Sequence, residues 1–532
     1  MRPDRGSQAV LRDQMSHELV FGVVGHIGSG ASQVAKQLRE ALAERDFAVH
    51  VLKARDVIVD WATSNQKHAP PESSRRTTGH LTALQDLGDE MRRTADDHAV
   101  VARLLVRKVR AARAQDMSVS PAPQEAVHPD GKARAFILDS IRHPAEVELL
   151  RHVYRSAFVL VGVVCEEDER KRRITTKFVD AGAGHAQSLM DRDAKAAEKW
   201  GQRVSDAFYL ADVFLDNTAA THVDARPNKY WDVPDQLVRL LELLTRSRVV
   251  RPTAHEAAMY IAHGARMKSA CLSRQVGAAL VDREGNVIAT GTNEVPRAGG
   301  GVYGTSLATP GDEEPPDHRC AFTDLHDEKY CSNTREQGEI VSELVASLAH
   351  LLKDATPETS EGVKQVLRSS RIGGLLEFSR AVHAEMDAIL SATRSGSVTV
   401  GTRLYVTTFP CHYCARHIVA AGVDEVQYIE PYPKSRALKL HADAISTTMP
   451  DWKPPSRGGD KVVMRPFTGI APRLYERVFS KELDLKDASG SMKIGEFAWG
   501  DPWKLHRVSY AQLEAELALE VEQKAQQGEG QS

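Results

Sequence analysis

Two short stretches decide the fold of the C-terminal half of this 532-residue chain: HAE at 383–385 and PCHYC at 410–414. Their metal-binding side chains are one imidazole and two thiols, those of His383, Cys411 and Cys414. Zinc prefers these ligands, and a catalytic zinc site keeps its fourth position for water. Glu385 can move protons between that water and a substrate. The pattern therefore predicts a hydrolytic zinc centre.

The flanking residues predict two helices and a strand around this centre. Apolar residues recur at helical spacing through 378–393, which places His383 and Glu385 near a helix start. Residues 404–406 favour a short strand, and a second helix is predicted from Cys411 to Gly422. Both thiols then lie in a first helical turn, where free N–H groups and the helix dipole favour thiolate. A lone histidine or a single C-x-x-C is commonly structural or redox-active, but neither alternative explains both stretches together.

The combined H-x-E and P-C-x-x-C pattern resembles the zinc-dependent nucleobase deaminases. Residues 265–293 predict a helix end and two strands joined by a tight turn, and they resemble the first hairpin of the deoxycytidylate deaminase family. GTNEVP at 291–296 resembles that family's G-Y-N-G-x-P segment, although Thr292 replaces the usual aromatic residue. The resemblance covers about residues 251 to 480 and implies that Asn293 binds substrate.

The same resemblance implies further substrate contacts. Residues 426–428 resemble the family's last core strand, and Tyr432 resembles the tyrosine of the loop that follows it. Cationic and amide side chains lie near the position where the family binds phosphate: Arg266, Lys268, Arg274 and Gln275. Of these, we take Arg274 and Gln275 as substrate-binding candidates. Asp387 stands where the family commonly has Asn, so no role is assigned to it.

The reaction implied is hydrolytic deamination of a cytosine ring. Water activated by zinc attacks C4, while Glu385 takes its proton, delivers it to N3 and helps the amino group leave as ammonia. The first alternative is a polynucleotide cytidine deaminase acting on DNA or RNA. A net charge of −3 and 6% aromatic residues argue against a broad phosphate-tracking surface. The second alternative, a regulator with a structural zinc site, disagrees with the open fourth position.

The N-terminal half carries a glycine-rich loop between a strand and a helix. ELVFGVV at 18–24 predicts a buried strand, and GHIGSGAS at 25–32 keeps the G-x-x-x-x-G-x-S spacing of a Walker A loop. The candidate nucleotide-binding residues are Gly25, Gly28, Ser29, Gly30 and Ser32. Ala31 occupies the position of the phosphate-contacting lysine, so the loop predicts anion binding without efficient phosphoryl transfer.

Three further strands are predicted in this half, at 135–138, 158–164 and 211–217. The first ends in Asp139, where Walker B carboxylates lie. This order resembles nucleoside-monophosphate and dephospho-coenzyme A kinases, with the basic run at 169–173 in the lid. The alternative for the basic run is a solvated helix face.

The order of the two halves resembles the bacterial anti-phage deoxycytidine-nucleotide deaminases. That resemblance implies deamination of dCTP or dCMP to the uracil form and depletion of the nucleotide pool. It also implies a homo-oligomer whose N-terminal domain regulates the deaminase through a nucleotide or an inhibitory RNA. The expected fold class is α/β, with an N-terminal P-loop kinase-like parallel sheet and a C-terminal cytidine-deaminase-like α/β/α sandwich.

The expected domain boundaries follow from composition and spacing. They are a flexible N-terminus at 1–16, a P-loop kinase-like domain at 17–245, a deaminase-like domain at 251–505 with an insertion at 297–374, and a C-terminal helix and tail at 506–532. Helices are expected at 235–244, 336–352 and 510–524, and an irregular linker at 218–234.

Composition fits a multi-domain cytoplasmic enzyme. A chain of 532 residues exceeds what one hydrophobic core usually supports, and no apolar run is long enough to span a bilayer. The N-terminus lacks the apolar region of a secretory signal, and six cysteines do not suggest a disulfide framework. Some deoxycytidylate deaminases hold a second, structural zinc, for which Cys271, Cys320 and Cys331 are the candidate ligands, with His318 and His326 nearby.

Overall fold

The computed structural model describes residues 16–122, 125–223, 226–304, 317–322, 329–348, 350, 356–375, 377–449, 451–481, 486–492, 510–515 and 517. The chain divides into two compact units, Met1–Pro252 with Thr468–Ser532, and Thr253–Phe467. None of the helices in the described ranges has the length and apolar character needed to cross a bilayer. The expected N-terminal tail lies outside these ranges, apart from Ser16.

The strands are β1 (Glu18–Val24), β2 (Ala48–Lys53), β3 (Arg134–Ile141), β4 (Phe158–Val164), β5 (Val213–Asp216), β6 (His222–Val223), β7 (Arg226–Pro227), β8 (Gly277–Val281), β9 (Val287–Thr292), β10 (Arg403–Thr408), β11 (Glu425–Glu430), β12 (Ile445–Ser446), β13 (Val462–Pro466) and β14 (Gly469–Ile470). The helices are α1 (Ala31–Ala43), α2 (Ala54–Ser64), α3 (Thr78–Ala95), α4 (Val100–Asp116), α5 (Pro144–Tyr154), α6 (Glu167–Lys177), α7 (Ala183–Ala194), α8 (Val204–Phe208), α9 (Val233–Thr245), α10 (Ala254–Arg266), α11 (Ser332–Ser347), α12 (Pro357–Ser369), α13 (Ala384–Arg394), α14 (His412–Ala420), α15 (Ala437–Leu440) and α16 (Pro472–Phe479).

The first unit is built on a sheet in the order β14-β5-β4-β1-β3-β2. Strands β5, β4, β1, β3 and β2 are parallel, and β14 pairs antiparallel with β5. The central strands β1 and β4 are buried along their whole length and are apolar apart from Glu18, as expected when helices cover both faces of a parallel sheet. The predicted strands are confirmed, with two corrections. β3 continues to Ile141, so Asp139 lies inside the strand and not at its end, and the strand expected at 211–217 is the shorter β5.

The C-terminal part of the chain belongs to the first unit. β14 extends the first sheet through Gly469 opposite Phe214, and residues 510–515 are helical. Glu514 is fully buried there beside Arg113. The second unit therefore ends at Phe467, whereas the expected deaminase-like domain ran to 505. There are two smaller differences. The expected irregular linker at 218–234 contains the paired strands β6 and β7, and the helix expected at 235–244 begins at Val233.

The second unit is built on a sheet in the order β12-β13-β11-β10-β8-β9. β8 and β9 form the predicted antiparallel hairpin, β10 pairs antiparallel with β8, and β10, β11, β13 and β12 are parallel. The prediction that β11 is the last core strand is wrong, because β12 and β13 follow it in the chain and extend the sheet. The helix expected at 336–352 is α11, which begins four residues earlier, and α12 follows it.

Helices cover both faces of this second sheet. A side chain at Gly277 would meet the backbone of α10, at 2.0 Å from the carbonyl oxygen of Ala262. A side chain at Gly291 would meet the backbone of α13, at 2.0 Å from the carbonyl oxygen of Ala384. Gly291 pairs with Ala278, the neighbour of Gly277, so the two glycines lie on opposite faces of the hairpin. The two glycines allow α10 and α13 to pack closely against the sheet.

Candidate active site

Two helix N-termini bring the predicted metal ligands together. His383 is the N-cap residue of α13, and Cys411 is the N-cap residue of α14. The backbone N–H of Cys414, in the first turn of α14, donates to the Cys411 sulfur over 3.5 Å. The helix predicted from Cys411 is thus confirmed, with Cys411 capping it.

The donor atoms are spaced as a zinc ion requires. The Nδ1 atom of His383 lies 3.3 Å from the Cys411 sulfur and 3.4 Å from the Cys414 sulfur, and all three donors lie within 4.8 Å of one another. Two ligands of a tetrahedral zinc ion with usual bond lengths are about 3.6 Å apart. Both sulfurs are shielded, since Cys411 is 4% exposed and Cys414 is 1% exposed. The donor set and its spacing fit Zn²⁺.

The local electrostatics favour a thiolate at Cys411 and proton transfer at Glu385. The Cys414 thiol and the His383 ring hydrogen-bond to Cys411 and, against the opposing effect of burial, lower its pKa to about 4, which favours the thiolate form. Glu385 is 4% exposed, and its burial raises the pKa of its carboxyl group to about 7. A carboxyl group with this pKa can both accept and donate a proton near neutral pH.

The donors open onto a cavity of about 230 Å³. Predicted site residues in its wall are His383, Glu385, Cys411, Asn293, Arg274 and Tyr432. The Arg274 guanidinium lies 5.6 Å from the centre of the Tyr432 ring, and it is 3.9 Å from the carboxylate of Glu430. Phe409, which directly follows β10, forms an apolar part of the same wall.

Asn293 shapes one wall of the cavity. Its side-chain oxygen accepts from the N–H of Val276 over 2.6 Å, and its side-chain nitrogen donates to the carbonyl of Arg274 over 2.6 Å. Gln275 is not in the cavity wall, because its side chain donates to the carbonyl of Ser269 over 2.7 Å. Lys268 lines a separate cavity of about 140 Å³.

Sequence reasoning missed Glu294, which joins the two sides of the site. Its carboxyl group accepts from the N–H groups of Ala270 over 2.7 Å and Val295 over 2.9 Å. Its backbone exchanges hydrogen bonds of 3.1 and 3.0 Å with Val382, the residue before His383. Glu294 is 1% exposed. The departure from G-Y-N-G-x-P at this position was the available signal, since a buried glutamate replaces a glycine.

Asp387 also ties the catalytic helix to the hairpin. Its Oδ2 atom accepts from the N–H of Thr292 over 3.0 Å, at the end of β9. Asp387 is 7% exposed, and burial raises the pKa of its carboxyl group. The aspartate therefore holds α13 against the strand that leads into Asn293.

Comparison with known proteins agrees with this geometry. Residues 252–430 match the family model described as the cytidine and deoxycytidylate deaminase zinc-binding region. Deoxycytidylate deaminase of Enterobacteria phage T2 is 30% identical over 178 residues, which are 34% of this chain and 80% of the phage protein. This chain belongs to the deoxycytidylate deaminase family. The phage T4 deoxycytidylate deaminase is 28% identical to it over 180 residues, which are 34% of this chain and 78% of the T4 protein.

Among solved structures, the apo dCMP deaminase of cyanophage S-TIM5 aligns with this deaminase with a TM-score of 0.21 and 18% identity. The alignment covers 41% of this chain and 99% of the cyanophage chain.

The three other candidate cysteines of the deaminase line the same cavity. Cys271, Cys320 and Cys331 all belong to its wall, and the sulfur of Cys331 lies 3.2 Å from the Ser273 hydroxyl. Within the described ranges, the one group of three metal-binding donors that converges is that of His383 and the two helix cysteines. His326 lies outside the described residues. A second zinc therefore stays a prediction.

The glycine-rich loop at 25–32 brings one predicted residue, Ser32, to the carboxylate of Asp139 on β3. The Ser32 hydroxyl donates to Asp139 over 2.9 Å, as the loop hydroxyl and strand carboxylate of a P-loop would. Gly28 and Gly30 adopt positive φ angles of 84° and 83°, which favour glycine. A side chain at Gly28 would lie 2.7 Å from the carbonyl oxygen of Arg170. The loop therefore packs directly against α6.

The basic run lies on α6, and its side chains divide between the loop and solvent. Arg173 donates to the carbonyl of Ser29 over 3.3 Å, whereas Arg172 is 61% exposed and pairs with Glu169. The N–H of Ile27 donates to the carboxylate of Asp193 over 2.7 Å. The guanidinium of Arg142 donates to the carbonyl of Gly25 over 3.1 Å.

Proposed function

We propose that this deaminase hydrolyses the 4-amino group of deoxycytidine nucleotides, converting dCMP, dCTP or both to the uracil form and ammonia. The observation that carries the proposal is a buried carboxyl group, Glu385, beside three converging zinc ligands. The cavity that holds them is also lined by Asn293 and Arg274, the residues that the family resemblance assigns to substrate.

The chemistry divides between the metal ligands and Glu385. His383, Cys411 and Cys414 would hold zinc, which when bound lowers the pKa of water enough to supply a nucleophile near neutral pH. Glu385 accepts the proton of the attacking water and passes it to N3 of the ring as the C4–O bond forms. It then assists proton transfer to the amino group, so that the C4–N bond breaks and ammonia leaves.

The remaining cavity residues would bind the nucleotide. Phe409 is 8% exposed and packs edge-on against Tyr428 with ring centres 4.8 Å apart, which gives the base a rigid apolar surface. The Tyr432 ring and the Arg274 guanidinium lie together, so an aromatic face and a cation meet at one part of the wall. Asn293 would act through the 274–276 backbone that it holds.

The experiment is a substrate panel with the purified, zinc-loaded chain. dCMP, dCTP, CMP, CTP, deoxycytidine and a single-stranded DNA containing cytosine are each incubated, and uracil products are measured by chromatography. We expect turnover of deoxycytidine nucleotides. Activity on single-stranded DNA with none on free nucleotides would instead identify the alternative, a polynucleotide deaminase.

We propose that the N-terminal unit is a P-loop kinase-like domain that binds a regulatory nucleotide at the 25–32 loop. The Ser32–Asp139 hydrogen bond and the parallel sheet support this, and Ala31 predicts little phosphoryl transfer. Thermal unfolding with and without Mg²⁺ and ATP, GTP or dCTP tests it. We expect a stabilisation that Asp139→Asn reduces, with Asp216→Asn as an unaffected strand-end control. Equal unfolding temperatures at all nucleotide concentrations would contradict this proposal.

We further propose a role in anti-phage defence, with an inhibitory RNA as a second regulator and a homo-oligomer as the active form in the cytoplasm. These proposals rest on the order of the two halves along the chain. Plaque counts on cells that express the wild-type chain or Glu385→Gln test the defence role, and light scattering after size exclusion measures the oligomeric state. Equal plaque counts with the two chains would contradict the defence role.

A further inference from the structure

Two walls of the cavity are tied to one dipeptide, Asn293–Glu294. The Asn293 side chain forms hydrogen bonds with the backbone of Arg274 and Val276, and these two residues form the first wall. Glu294 pairs with Val382, which fixes the segment that leads through Arg380 to His383 and forms the second wall. Each wall contributes one arginine to the cavity. The dipeptide is therefore hydrogen-bonded to the backbone of both segments that carry an arginine.

The two arginines differ in their partners. Arg274 is drawn toward Glu430 and lies over the Tyr432 ring. Glu430 is shared, because Arg266 pairs with it over 3.2 Å. No carboxylate in the described part of the chain pairs with Arg380, although it lines the same cavity. A guanidinium in a binding cavity that has no carboxylate partner among the described residues is available to a ligand anion.

The exposure of the lining residues differs between the end of the cavity that holds the metal donors and the end that holds the two arginines. Cys411, Cys414 and Glu385 are buried and His383 is half-buried, whereas Arg380 is exposed and the Arg274 side chain is 48% exposed. A cytosine nucleotide with its base at the metal donors would keep its phosphate at the open end. A guanidinium offers a planar fork of N–H donors that matches phosphate oxygens.

We propose that Arg380 binds the substrate phosphate and sets the preference for nucleotides over the nucleoside. The inference rests on the proposed function in one respect, that a deoxycytidine nucleotide occupies this cavity. Arg274 assists from the first wall, with part of its charge offset by Glu430. Arg380 contributes to binding energy at the phosphate and takes no part in the chemistry at C4.

The first test measures binding and needs no turnover. Calorimetry with the zinc-loaded chain compares dUMP, the product with a phosphate, with deoxyuridine, the product without one. We expect Arg380→Ala to weaken dUMP binding about 10- to 150-fold, the range for losing a hydrogen bond to a charged group, and to leave deoxyuridine binding unchanged. Arg380→Lys should recover part of the loss, since it keeps the charge without the fork. Arg457→Ala, an exposed arginine outside the cavity wall, is the matched control.

The second test measures kinetics with dCMP, dCTP and deoxycytidine. We expect Arg380→Ala to raise KM for both nucleotides by a similar factor, with kcat within about threefold of wild type and deoxycytidine kinetics unchanged. Unchanged dUMP binding, or equal losses for dUMP and deoxyuridine, would overturn the role of Arg380. A wild-type chain that binds dUMP through Arg380 but deaminates no nucleotide would overturn the proposed function and leave the phosphate site standing.

Discussion

Glu294→Ala provides a sharp test of how the site is held together. The substitution removes both hydrogen bonds of the carboxyl group, to the N–H of Ala270 over 2.7 Å and to that of Val295 over 2.9 Å. The second joins neighbouring residues and constrains little. The hydrogen bond to Ala270 joins positions 24 apart in the chain and holds the segment that leads to Arg274 in the cavity wall.

A hydrogen bond to a charged group contributes about 1.5–3 kcal/mol. If the whole energy of the Ala270 hydrogen bond is lost from transition-state binding through poorer positioning of Arg274, kcat/KM for dCMP falls about 10- to 150-fold. The conversion uses a factor of ten for each step of about 1.36 kcal/mol. Glu294→Gln keeps one acceptor oxygen for Ala270 and should remain within about tenfold of wild type. Glu284→Ala, an exposed glutamate in the β8–β9 turn, is the control.

The assay pairs steady-state kinetics with zinc content and urea unfolding. We expect Glu294→Ala to retain zinc, because the metal donors are untouched, and to lose activity mainly through KM. A Glu294→Ala protein with kcat/KM within twofold of both wild type and Glu284→Ala would refute the reasoning. Loss of zinc in parallel with activity would show that Glu294 acts through Val382 and His383 instead.

Three further predictions concern other buried groups. Asp387→Asn should keep activity within about threefold because an amide oxygen can also accept from Thr292, whereas Asp387→Leu should lower the free energy of unfolding by about 1–3 kcal/mol in urea titrations. Burial and the nearby Arg92 lower the pKa of His143 to about 3. Because the unfolded chain takes up this proton below pH 6.5, the free energy of unfolding should fall on acidification from 6.5, by up to about 1.4 kcal/mol per pH unit. His143→Asn, which keeps an N-cap acceptor, should remove that part of the slope in urea titrations between pH 5 and 7; an unchanged slope would contradict it. Glu514→Ala leaves the fully buried Arg113 with one fewer partner, so it should lower the free energy of unfolding by about 3–5 kcal/mol, as measured by calorimetry. An unchanged free energy of unfolding would show that the C-terminal segment does not dock beside Arg113.

The sequence predicted the centre of the site well because local rules govern it. A histidine and two cysteines at helix starts need only the helix periodicity and the ligand preferences of zinc to be recognised. The β8–β9 hairpin and the apolar strands β1 and β4 were predicted for the same reason, since their residue patterns are local.

Contacts between residues far apart in the chain could not be predicted from the sequence. The pairing of β14 with β5 joins residues more than 250 positions apart, and a two-residue strand carries no pattern of its own. Glu294 and Arg380 belong to the site through the Glu294–Val382 bridge, which only the folded chain shows. Gln275 was drawn from the family's phosphate region, but a hydrogen bond to Ser269 holds its side chain outside the cavity wall.

The most direct test of the account compares dCMP turnover by the zinc-loaded wild-type chain and its Glu385→Gln variant, with zinc measured in both. We predict uracil nucleotide and ammonia in equal amounts from the wild type. For the variant we predict unchanged zinc and a rate lower by about 10²- to 10⁴-fold, the usual contribution of a positioned acid and base. A variant that keeps the wild-type rate, or a zinc-loaded wild type that leaves every deoxycytidine nucleotide unchanged, would contradict the account.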